Sequence, residues 1–76
     1  MSGGGPQKHS LTLRGHRTSV TLEPAFWEAL CRLAAARGQA VNALAAEIDA
    51  GRAPGIGLAS AIRVFLLAHY RARAGE

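Results

Sequence analysis

Three hydrogen-bonding side chains recur at every second position, Arg17, Ser19 and Thr21, with Thr18, Val20 and Leu22 alternating between them. An extended strand sends successive side chains to opposite faces. Thr18, Val20 and Leu22 then line a core, and Arg17, Ser19 and Thr21 form an outward polar row. One guanidinium fork and two hydroxyls are groups that can hydrogen-bond base edges, with arginine the best-equipped guanine reader. A lone strand leaves its backbone edges unpaired. It needs a partner strand, and a second copy of the chain is the simplest supplier. Two such strands would make an antiparallel ribbon that fits the DNA major groove.

The flanking segments must position that row. Met1 to Lys8 is polar and Gly-rich, and it is expected to be a disordered tail preceding a single domain over residues 9–76. His9 to Arg14 alternates again, but Leu11 and Leu13 are odd-numbered, whereas Val20 and Leu22 are even. A continuous strand cannot keep both pairs on one face, because an offset of one residue reverses the side chains. Gly15 sits at the change. Either a second strand hairpins at Arg14-Gly15-His16, or one long arm bends there through a bulge. The absence of an Asn-Gly type turn favours the bent arm.

Three helices should follow. Pro24 suits a first helical position, with Glu23 and Glu28 where the helix dipole favours negative charge. Phe26, Leu30 and Leu33 form an apolar stripe, joined by Trp27 and Ala34, and Arg37-Gly38 supplies a stop. The aromatic pair at Phe26-Trp27 has the spacing of core or interface residues. A second helix should run from about Val41 to Ala50, burying Leu44, Ala45 and Ile48, with Ala40 where a capping Ser or Thr is expected. Gly51 to Gly57 reads as a loop. A third helix, about 58–71, carries Leu58, Ile62, Phe65, Leu66 and His69 on one stripe. Val64, Leu67 and Ala68 extend its apolar surface, which implies burial on more than one side and dimerisation. Arg63 is expected to pair with Glu47 or Asp49.

Composition narrows the function classes. The 76 residues carry nine basic against five acidic side chains, a net charge of +4 that suits a polyanionic partner. Aromatics are few and alanine abundant, so a stable core is expected to draw on a subunit interface. Cys31 is the single cysteine, which excludes an intrachain disulfide, and no Cys-His-Asp set surrounds it in sequence. His9, His16 and His69 lack the close spacing of a zinc site. No triad, phosphate loop or cofactor motif is visible, so neither an enzyme nor a cofactor is expected. No secretory leader or membrane span is apparent, and a cytoplasmic location is expected, nucleoid-associated when bound to DNA.

The order of strand, helix, Gly-ended turn and helix over Arg17 to Ala50 resembles the ribbon-helix-helix fold of Arc and methionine-repressor type. A closer resemblance is to a small bacterial ribbon-helix-helix family. It rests on the run Leu13 to Pro24, then Phe26-Trp27, Leu30, Asn42-Ala43-Leu44, Glu47-Ile48-Asp49 and Leu58 to Phe65. The resemblance implies a mostly α protein with one short β-strand. It would be an intertwined homodimer with an intersubunit ribbon, plus a C-terminal third helix outside the minimal fold. It further implies a sequence-specific DNA-binding transcriptional regulator of the repressor kind, with double-stranded DNA as partner. Base contacts would fall to Arg17, Ser19 and Thr21. The backbone N–H groups of Val41 and Asn42 would clamp a phosphate. By position beside the reading row, Arg14 and His16 are expected to touch phosphates as well. The alternative is an antitoxin-like or adaptor module that binds a protein through the third helix or N-terminal arm.

Overall fold

The computed structural model describes residues 4–75, so Met1 to Gly3 of the expected tail lie outside the described residues. Two antiparallel strands, β1 (Gln7–Leu13) and β2 (His16–Leu22), precede three helices, α1 (Pro24–Ala36), α2 (Val41–Gly51) and α3 (Leu58–Arg73). The expectation of one short strand is thereby corrected. The ribbon anticipated between two chains is formed within one, and β1 begins at Gln7, inside the segment assigned to the tail.

The hairpin replaces the bent arm for a definite reason. Arg14 and Gly15 both adopt left-handed backbone, at φ 52° and 83°. Two such residues make the tight turn whose twist matches that of paired strands. Glycine takes this conformation freely, and arginine takes it at a cost the strand pairing must offset. The turn also resolves the parity change. Leu13 pairs with His16, Leu11 with Thr18 and His9 with Val20. Odd positions of β1 therefore share a face with even positions of β2, and Leu11, Leu13, Val20 and Leu22 are all buried. No bulge is required.

The helices follow their sequence signals closely. The Glu23 carbonyl accepts from the Phe26 and Trp27 N–H groups at 3.0 and 3.1 Å, with Pro24 in the first turn. Gly38, at φ 68°, ends α1, and the Gln39 N–H donates back to the Ala34 carbonyl at 2.9 Å. α2 starts at Ala40 without a side-chain cap. The core lies between the inner ribbon face and the three helices, with Leu22, Leu30, Leu44, Ile62 and Leu66 fully enclosed. Each such side chain contributes about 1.5–3 kcal/mol before entropy costs.

α3 buries Ile62 and Leu66 as its spacing indicated, while Leu58 and Phe65 are half-buried. Val64, Leu67 and Tyr70 stand exposed on its far side. The ion pair foreseen from Arg63 to Glu47 or Asp49 is corrected. Arg63 Nη2 and Nε donate to Glu23 Oε1 at 2.9 and 3.0 Å, because α3 folds back across the start of α1. Glu47 is taken by Arg37 and Gln39, and Asp49 by Arg52.

Candidate nucleic-acid interface

The outer face of the hairpin gathers six polar side chains in three cross-strand pairs: Lys8 with Thr21, Ser10 with Ser19, and Thr12 with Arg17. All six are exposed. Arg17, Ser19 and Thr21 lie on the face their alternation assigned. The sequence reading missed Lys8, Ser10 and Thr12. The alternation of His9 to Arg14 carried the signal for Ser10 and Thr12, but a bent arm gave it no register with β2, and Lys8 fell in the segment assigned to the tail. Thr18 is corrected from core to exposed: it lies on the inner side across from buried Leu11 but opens into a groove that Ala46 and Leu58 also line.

Charge is distributed unevenly. Lys8, Arg14 and Arg17 are the cations of the hairpin, and no acid occurs between Gln7 and Leu22. Each acid among the described residues is engaged on the helical body. Glu23 faces Arg63 at 2.9 Å, Glu28 faces Arg32 at 3.7 Å, Glu47 faces Arg37 at 3.2 Å, and Asp49 faces Arg52 at 2.7 Å. The pairs of Glu28, Glu47 and Asp49 are exposed and add little stability each, and that of Glu23 is half-buried. The hairpin itself carries no carboxylate, and Asp49, which lines the groove beside Arg14 and His16, is already paired with Arg52.

The remaining candidates fall around this face, not on it. Arg14 is exposed at the turn. His16, paired with Leu13, belongs to the helix-facing side and lines a groove with Arg14, Thr18, Asp49, Arg52 and Leu58. Asn42 Oδ1 accepts from the Thr12 N–H at 3.3 Å, which ties the start of α2 to the edge of β1. The first-turn N–H groups of Val41 and Asn42 are not consumed inside the helix. Asn42 thus serves as a strap between ribbon and helix. A second strap is the stack of His9 on Trp27, with ring centroids 3.8 Å apart and 4° between planes.

The chemistry of other groups is limited. Burial pushes the Cys31 thiol above its ordinary value, away from the nucleophilic thiolate. Glu23 is held below its ordinary value, first by a backbone hydrogen bond and then by Arg63. Among the described residues no group of three His, Cys, Asp or Glu side chains could hold a metal, and no helix is long and apolar enough to cross a membrane.

A polar, basic two-stranded ribbon on a helical body defines a class of nucleic-acid-binding domain. A family model for the ribbon-helix-helix domain matches residues 6–70, and the chain belongs to that family. The family is a non-enzymatic DNA-binding fold whose members typically dimerise. No curated protein and no solved structure matches the chain significantly.

Proposed function

We propose that this chain is a sequence-specific DNA-binding transcriptional regulator that lays the outer face of its hairpin in the major groove and works as a homodimer on the nucleoid. The observation that carries the reading is the six-residue polar face, with Lys8 and Arg17 on it, Arg14 at the adjoining turn and no acid in either strand. A two-stranded ribbon fits a groove about 12 Å wide. Arg17 reads guanine, and Ser19 and Thr21 contact neighbouring bases. Arg14 and His16 at the hairpin tip hold phosphates, as do the N–H groups of Val41 and Asn42. The side chain of Asn42, already engaged by Thr12, adds no further contact.

Binding to duplex DNA should weaken steeply with salt, by about a hundredfold between 50 and 200 mM if about four phosphates are neutralised. Selection from a random duplex pool should then return a defined site. Affinity that ignores salt, or a pool that returns no preferred sequence, would contradict the proposal. The exposed apolar side of α3 favours a second reading, an antitoxin-like module that also holds a protein partner.

A further inference from the structure

The two strands of the hairpin are held in unequal ways. β2 runs through Glu23 directly into α1, so its far end is fixed by the chain itself. β1 is preceded by residues 4–6, all exposed, and has no such tether. Its inner side buries Leu11 and Leu13 toward the turn, whereas Gln7 at the open end is exposed. Between them stands His9, half-buried, paired across the ribbon with buried Val20 and stacked on Trp27. Trp27 belongs to the first turn of α1, where its N–H donates to the Glu23 carbonyl at 3.1 Å. The stack therefore closes a ring of contacts from β1 through Trp27 and α1 back to β2. Side chains alternate along a strand, so fixing His9 inward fixes its neighbours Lys8 and Ser10 outward. The strap of Asn42 on Thr12 holds the other half of β1.

As a mere filler of this place His9 is a poor choice. Its Nε2 is shielded from solvent and meets no hydrogen-bond partner among the described residues. An unmet polar atom carries a cost that an apolar ring avoids. What the imidazole supplies is a flat face, parallel to the indole within 4° at 3.8 Å. Ring pairs have preferred geometries, so the contact sets the distance and tilt of the strand end.

We infer that His9, stacked on Trp27, is the positioning residue for the open end of the reading face, and that Lys8, held outward across from Thr21, takes a DNA phosphate. The inference deepens the DNA-binding reading and rests on it for the phosphate, but not for the positioning. Lys8 is the hairpin cation farthest from the turn, since Arg14 lies in the turn and Arg17 close to it. A compact charge on a flexible stem suits a phosphate better than a base edge. On a fraying strand end, that contact would be offset by the entropy of ordering the backbone. The stack orders the strand before DNA arrives.

The test compares the full chain as wild type, Lys8→Ala, His9→Ala, His9→Phe and the Lys8→Ala/His9→Ala double variant. In the free protein, His9→Ala should speed amide exchange over residues 7–11 by about three- to tenfold, the change that loss of an aromatic pair supports. Acrylamide should quench Trp27, the single tryptophan, more strongly in the same variant. His9→Phe should restore both readouts. On duplex DNA, Lys8→Ala and His9→Ala should each reduce the slope of log affinity against log salt by about one. The double variant should lose about one as well, because the two residues act as a unit. A merely structural His9 would leave the Lys8 charge effective, and the losses would add. Unchanged exchange and quenching in His9→Ala overturn the positioning. A full salt slope in His9→Ala, additive losses, or no rescue by His9→Phe overturn the coupling to Lys8. A wild type that binds no duplex sinks the DNA reading and the phosphate contact with it, while exchange and quenching still decide the positioning.

Discussion

The outer face of the hairpin and the outer side of α3 are both uncovered in a single chain, and they are opposite in kind. The hairpin presents hydroxyls and cations with no acid among them, whereas α3 presents Val64, Leu67 and Tyr70 between two apolar hollows. A polar ribbon costs nothing to leave in water and gains by meeting a polyanion. An aliphatic helix face is costly in water and gains by meeting another apolar surface. The two faces are therefore suited to different partners, one polyanionic and one apolar.

The strongest way to break the comparison is to cross the ribbon from outer face to inner. Leu22 is wholly enclosed, and Leu22→Ala should cost about 2–5 kcal/mol in denaturant unfolding. Its exposed neighbour offers the contrast, since Thr21→Ala should stay within about 0.5 kcal/mol. Equal costs would mean that the two faces are misassigned.

Arg17→Ala sharpens the functional side. It should weaken binding to the selected site by about 1–3 kcal/mol and relax the preference at one base pair, with the melting temperature unchanged. Binding as tight and selective as wild type would remove Arg17 from the reading face. A smaller effect is expected at the turn. Gly15→Ala places a Cβ on left-handed backbone at φ 83°, and should destabilise the hairpin by about 1–2 kcal/mol. Hydrogen exchange should show the loss in β1 and β2 before α3.

The smallest effect concerns pH. Glu23 titrates below its ordinary 4.5 in the folded chain. Its contribution is therefore present above that value and is lost as pH falls through the depressed folded value. Glu23→Gln should flatten the acid limb of stability slightly. An unchanged acid limb would show that the pairing with Arg63 is inert.

Much of this was legible in the sequence, at different depths for different elements. Helical spacing located Leu30, Leu44, Ile62 and Leu66, and Pro24 and Gly38 marked the ends of α1, because these signals are local. The β1–β2 pairing was not legible for a physical reason. Turn chemistry favours Asn at the first left-handed position, and Arg14 occupies it instead. Without that turn, the parity change at Gly15 looked like a bulge, and Lys8, Ser10 and Thr12 had no place on the reading face. The partner of Arg63 was equally hidden, since Glu23 lies 40 residues away and meets it only through the return path of α3.

The claim that one chain supplies both strands of the reading face is tested most directly by amide chemical-shift mapping of the labelled protein with its selected duplex. Shifts should concentrate at Lys8, Ser10 and Thr12 on β1 together with Arg17, Ser19 and Thr21 on β2. Perturbation confined to α3, or to β2 with β1 silent, would contradict the account.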